Sequence, residues 1–206
     1  MKTFTASLIA VHRLLVSSIV YPDTEARARA DGLRWDPALI GRTWPDTPEG
    51  IEAFFREAMG WSRPAYHAIV RPDGSRWQWA GLGETVWHAG PRWNPRSLAL
   101  ATVGDWRRES PPEPLYRAAV EVAAEWAVSC DLWPTRRHAR AGTTVYEVSG
   151  HGELTRAEGR VWDCPGDGWP LEPWRGDVAA DVERLRAESG ALSGGWRERA
   201  ARFGWR

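Results

Sequence analysis

Apolar positions along the chain fall into two kinds of run. Leu8 to Val16 and Leu98 to Val103 are almost continuously apolar, as expected of strands covered on both faces, although the first carries His12 and Arg13 in its middle. Other apolar residues recur at helical spacing. Ile51, Phe54, Phe55, Ala58 and Met59 follow Thr47-Pro48, an N-cap and first-turn proline, so an amphipathic helix is predicted from there to Gly60. Leu115, Ala119, Val122, Ala123 and Trp126 predict a second helix over Glu113 to Cys130, and Val178, Val182 and Leu185 a peripheral C-terminal one from Asp177 to Glu188, followed by a tail.

Shorter signals fill the intervals. Tyr66 to Val70 and Arg76 to Ala80 are strand candidates joined by Arg71-Pro72-Asp73-Gly74, a hairpin signal. Thr143 to Val148 alternates and is rich in β-branched residues, which predicts a strand delivering Gly150-His151 at its C-terminal end. Tyr21 to Asp46 has no period and is read as a long, inserted-looking loop with a helical turn at Asp23 to Ala30. Interleaved strands and helices without a repeat or linker imply an α/β fold, a central mixed β-sheet flanked by helices, in one domain spanning residues 1–206.

Charge narrows the choice of partner. With 27 Lys and Arg against 27 Asp and Glu the formal net charge is zero, so bulk electrostatics does not favour nucleic acid. No 18-residue apolar stretch is present, so no integral membrane segment is expected. The apolar N-terminal run is broken early by His12 and Arg13, so no signal peptide is expected and synthesis is placed in the cytoplasm. The two cysteines, Cys130 and Cys164, cannot form a disulfide framework, and a reducing compartment is expected. Fifteen tryptophans against four Phe and four Tyr stand out, several among Pro, Gly and Arg. Such residues either line a carbohydrate or peptide groove or cap the edge of the core.

The candidate chemistry lies in Gly150-His151-Gly152-Glu153-Leu154 and Asp163-Cys164-Pro165-Gly166, treated as one loop. Imidazole and thiolate are preferred zinc ligands, and one further side chain would complete a three-ligand site with a fourth position for water. The bland alternative is a surface histidine and a buried cysteine. His12 is either a hydrogen-bonded core histidine or a ligand on a rigid strand.

Taken in order, His12 on its strand, Ala65-Tyr66-His67 before the hairpin, Val86-Trp87-His88-Ala89-Gly90, Ser97-Leu98-Ala99-Leu100 into Val103-Gly104-Asp105, and Gly150-His151 with Asp163-Cys164-Pro165-Gly166 resemble the type 2 N-acetylmuramoyl-L-alanine amidases, a family that includes phage endolysins and peptidoglycan-recognition proteins. The resemblance covers about residues 8–170. It implies one Zn²⁺ held by His12, His151 and Cys164, a catalytic Tyr66, and substrate contacts from His88 and Asn94. Trp87 and Trp93, which flank that rim motif, are expected to bind substrate as well.

The activity so implied is hydrolysis of the bond between N-acetylmuramic acid and L-alanine in peptidoglycan. A monomeric phage endolysin acting on the wall after release is the expected setting. Two positions depart from common family patterns: Trp162 occupies the place two before the cysteine where active members usually carry Lys or Thr, and Ala101 stands where some carry Glu, which fits the tyrosine-bearing subset instead. A peptidoglycan-binding module without turnover is the alternative. A purely structural zinc site would need His67 or Glu153 as fourth ligand.

Overall fold

The computed structural model describes residues 6–140 and 143–189 and the single positions 198, 201 and 203. It divides into two compact units, Met1–Arg13 with Tyr66–Arg206, and Leu14–Ala65. The elements are β1 (Leu8–Leu14), α1 (Glu25–Ala30), α2 (Pro48–Glu57), β2 (Ala68–Val70), β3 (Arg76–Gln78), β4 (Ser97–Val103), α3 (Glu113–Ser129), β5 (Arg137–Arg140), β6 (Thr143–Tyr146), β7 (Val148–Gly150), α4 (His151–Arg156) and α5 (Leu171–Ser189).

The first unit is built on a five-stranded sheet in the order β3-β2-β4-β1-β7, parallel between β1 and β7 and between β2 and β4, antiparallel in the β2–β3 hairpin. The mixed sheet flanked by helices is the α/β architecture expected. Strand alternation decides which residues face the site. Ile9, Val11, Leu98 and Leu100 pack with Leu115, Val122 and Trp126 of α3 and with Trp174, Val178 and Val182 of α5. Leu8 and Ala10 instead meet Leu154 and Ala157 on or just after α4, and Ala99 meets Ala80 and Val86. By the same parity His12 and Ser97 fall on this second side.

Two expectations change here. α5 begins six residues before Asp177 and is not peripheral, because Trp174, Val178 and Val182 are all fully buried in the main core. An indole such as Trp126 or Trp174 buries on the order of 200 Å², about 5 kcal/mol before ordering entropy is subtracted. The tail beyond it lies largely outside the described residues. The strand predicted over Thr143 to Val148 is two strands: β6 pairs with β5, and β7 alone joins the main sheet.

The second unit contains the stretch read as a long loop. It is better organised than its sequence suggested, with α1, a 3₁₀ turn at Pro37–Leu39 and an aromatic cluster of its own. Trp44 and Phe54 pack edge to face at 5.3 Å between ring centres, and Trp44 Nε1 donates to Glu57 at 2.9 Å. The Tyr21 hydroxyl accepts from Asp36 N at 2.7 Å and donates to the Arg34 carbonyl. α2 starts as predicted, with Thr47 accepting from Gly50 N at 3.2 Å ahead of Pro48.

Candidate metal centre

Strand register brings the two histidines together. In the parallel β1–β7 pair Val11 stands opposite Gly150, so the next step along both strands sets His12 beside His151, with ring centres 4.4 Å apart. His12 is 2% and His151 8% exposed. Cys164 reaches them from the chain that runs back past α4, its Sγ 4.0 Å from His12 Nδ1. One ligand atom from each of His12, His151 and Cys164 lies within 4.8 Å of the others.

That return path needs a glycine. Gly152 N donates to the Cys164 carbonyl at 2.6 Å, and a Cβ at this position would lie 2.5 Å from the Trp162 carbonyl oxygen. A second tie runs between residues adjacent in sequence to two of the candidate ligands: Arg13 Nη1 lies 3.3 Å from Asp163 Oδ2 and donates to the Pro165 carbonyl at 3.5 Å. The intervening Cys164-Pro165 peptide bond is cis.

The donor set fits a soft-to-borderline cation. Tetrahedral zinc with nitrogen and sulfur ligands separates them by about 3.5 Å, so the observed spacing needs only a modest contraction. Burial, reinforced by His151 and then His88, holds the His12 imidazole well below its usual pKa. Burial, with Arg160 adding to it, brings His151 down to about 4. Both rings are therefore neutral and offer a lone pair at neutral pH. Burial pushes the Cys164 thiol up to about 11, with Arg13 opposing, so a bound cation would have to displace its proton.

Both candidates for a fourth protein ligand are engaged elsewhere. His67 is fully buried, its Nδ1 accepting from Ala99 N at 3.0 Å and its Nε2 3.0 Å from the Glu84 carbonyl. Glu153 Oε2 accepts from Gly150 N at 2.9 Å and from Arg175 Nη2 at 2.8 Å.

The remaining expected site residues divide. Tyr66 lies beside the cluster, its ring centre 5.3 Å from that of His12, and burial together with the Cys164 thiol raises its pKa, so its hydroxyl keeps its proton. Trp87 is 68% exposed. His88 is turned toward the cluster, with Nδ1 2.9 Å from His12 Nε2 and Nε2 2.8 Å from Ser97 Oγ. Asn94 and Trp93 are not on the surface, which corrects their expected role as substrate contacts. A turn closed by Trp93 N and Asn94 N on the Gly90 carbonyl folds both inward. Asn94 Oδ1 accepts from His88 N at 3.0 Å and Ala89 N at 2.8 Å, while Trp93, 1% exposed, packs with Leu8, Ala10 and Leu154.

Sequence reading quoted Ser97, Arg13 and Asp163 but gave them no role at the site, because their relevance depends on strand parity and on where the cysteine segment returns. Arg160 lies in the same return segment. Its guanidinium influences His151 and lies 3.7 Å from where a Gly90 Cβ would sit, while pairing with Glu158. Trp162 is 57% exposed with its ring 5.6 Å from that of His151.

Sheet, helices and the His12, His151, Cys164 cluster together define an α/β protein with a candidate metal centre at the end of two parallel strands. Residues 9–167 match the family model described as N-acetylmuramoyl-L-alanine amidase, and the chain belongs to that family. It is similar to peptidoglycan recognition protein 1 of Bos taurus, with 26% identity over 106 residues, 52% of this chain and 50% of that protein. The chain thus spans about half the length of the curated relatives it matches. Among solved structures it resembles the endolysin N-acetylmuramoyl-L-alanine amidase LysCS from Clostridium intestinale URNW, with a TM-score of 0.58, 16% identity and coverage of 85% and 84% of the two chains. It also resembles the Ph2119 endolysin from the Thermus scotoductus MAT2119 bacteriophage, with a TM-score of 0.53, 20% identity and coverage of 86% and 85%. At these identities the likeness is one of fold.

Proposed function

We propose that this protein is a zinc-dependent N-acetylmuramoyl-L-alanine amidase, adding water across the bond between the lactyl carbonyl of N-acetylmuramic acid and the amine of L-alanine. The observation that carries the reading is the cluster of buried His12 and His151 with half-buried Cys164, both other candidate ligands being committed elsewhere. A single Zn²⁺ held by these three residues would supply Lewis-acid polarisation of the scissile carbonyl and activation of water. Tyr66 lies beside the cluster, and its raised pKa keeps on the phenol the proton that a donor to the oxyanion needs. Trp87 and Trp162 present exposed indoles to the sugar or peptide. Arg160 stands in the same segment as Trp162 and offers the cationic charge that Trp162 lacks.

Fold likeness to two endolysins, one of them from a bacteriophage, supports a phage lysin acting on peptidoglycan. No helix among the described residues is long and apolar enough to cross a membrane. The family match runs from 9 to 167, through segments of both compact units, which supports a single amidase domain. A second reading, a peptidoglycan-binding module without turnover, is favoured by one observation, the uncharged indole of Trp162 beside His151.

Elemental analysis and clearing of a purified cell-wall suspension, each with and without chelator, test the proposal. About one zinc per chain and chelator-sensitive clearing that releases new L-alanine N-termini support it. Wall binding without clearing supports the second reading. If His12→Ala, His151→Ala and Cys164→Ser each retain full zinc, the ligand assignment fails.

A further inference from the structure

The contacts around His12 fix which ring nitrogen carries its proton. Ser97 Oγ lies 2.7 Å from the Trp93 carbonyl oxygen, and only the hydroxyl can supply a hydrogen to that contact. The serine therefore has no hydrogen left for His88, and the 2.8 Å approach between His88 Nε2 and Ser97 Oγ needs the ring to donate. A neutral His88 so committed has a bare Nδ1. The 2.9 Å contact of that atom with His12 Nε2 then requires His12 to be the donor. Three hydrogens serve three contacts in only one arrangement, which leaves His12 Nδ1 bare and facing Cys164 Sγ.

We propose that His88 and Ser97 are positioning residues that hold His12 as its Nε2–H tautomer, so that the Nδ1 lone pair is presented to the metal. This deepens the metal-site reading and rests on it. The chain ends on backbone inside the fold, because Ser97 is fully buried and Asn94, also buried, fixes the loop bearing His88. The His12 backbone is held as well: Thr102 Oγ1 donates to its carbonyl at 2.8 Å and Trp106 Nε1 donates to Thr102 Oγ1 at 2.9 Å. Ring and backbone are thus anchored from β4 and from the residues on either side of it. An outer hydrogen bond of this kind orients a histidine ligand and raises its basicity, and losing it typically costs about 10–100-fold in metal affinity. Ser97 thereby acts on His12 through another side chain.

The tautomer can be read in the metal-free protein from the imidazole ¹⁵N shifts of His12, at a pH where the ring is neutral. The parent should show Nε2–H and a bare Nδ1. His88→Ala should give a tautomer mixture and about 10–100-fold weaker zinc binding by chelator competition. His88→Asn, whose side-chain oxygen can replace Nδ1 as acceptor, should restore the tautomer and part of the affinity. Ser97→Ala, a smaller change, should move the His12 shifts in the same direction as His88→Ala. An Nδ1–H tautomer in the parent, or unchanged shifts and affinity in a folded His88→Ala protein, overturns the proposal. If the parent shows Nε2–H and His88→Ala disturbs it while zinc does not bind, the relay stands and the zinc reading falls.

Discussion

Arg175 and Glu153 form an ion pair, Nη2 to Oε2 at 2.8 Å, that joins α5 to the turn bearing His151. The same carboxylate oxygen accepts from Gly150 N, which fastens the start of α4 immediately before that histidine. Arg175 is 1% exposed, donates to the Val148 carbonyl at 2.8 Å and lies 3.8 Å over the Tyr146 ring. It lies beyond the family match at 9–167, so a residue outside the shared segment anchors the candidate centre.

Arg175→Met should therefore destabilise the protein by about 1–3 kcal/mol, below the cost of breaking a fully buried pair because Glu153 keeps its bond from Gly150 N and is 20% exposed. Zinc affinity should fall with it, since the His151 turn loses a tether. Urea unfolding and a zinc competition titration measure the two effects. A change in stability below about 1 kcal/mol would show that the pair is incidental.

Tyr66→Phe should keep zinc and fold while losing activity by about 10²-fold or more, chiefly in kcat, as expected on deleting a donor used only in the transition state. Wall-clearing kinetics against Arg160→Ala decide the role. Parent-like Tyr66→Phe with a collapsed Arg160→Ala would assign the oxyanion helper to the segment between His151 and Cys164.

The two tryptophans that flank His88 should separate cleanly. Trp93→Ala removes a buried indole and should cost about 3–5 kcal/mol of stability. Trp87→Ala should leave stability within about 0.5 kcal/mol and weaken wall pull-down by on the order of 1 kcal/mol. Unchanged wall binding in Trp87→Ala would remove it from the substrate surface.

Stability of the metal-free protein should peak between the unfolded pKa values of histidine and cysteine, 6.5 and 9.0. Below 6.5 the unfolded chain takes up protons that His12 and His151 resist, so stability falls as pH drops toward about 4. The His151 shift alone corresponds to roughly 3 kcal/mol. Above 9 the unfolded Cys164 ionises while the folded thiol, at about 11, does not, so stability falls again as pH rises. Denaturation midpoints across pH provide the check, and zinc binding at neutral pH should release about one proton from the thiol.

Much of the scaffold was legible because its determinants are local. The period of Ile51, Phe54 and Phe55 behind Thr47-Pro48 marks α2, and Pro72-Asp73-Gly74 marks the β2–β3 hairpin, with Gly74 at φ +83°. α3 was equally visible in the spacing of Leu115, Ala119, Val122 and Trp126. The helix at His151–Arg156 was read as loop because its six residues follow Gly150 at the N-cap position, which offers no side chain to cap them. The division of 143–150 into β6 and β7 escaped because Thr143 to Val148 reads as one strand-forming run and the two halves differ in their partners.

By itself the sequence determined the α/β class, the order of the motifs and which residues carry metal-binding chemistry, since composition and period act over a few neighbouring positions. Only the tertiary structure decided how those residues meet. Parallel register set His12 beside His151, Gly152 let Cys164 return to them, and strand parity put Ser97 under His88. The same packing withdrew Trp93 and Asn94 into the interior while leaving Trp87 outside, a distinction within one short segment that depends on where a turn closes in space. The contact of His12 with His151 joins distant parts of the chain, and the shorter-range ones depend on how loops return in space, so no local pattern encodes their geometry.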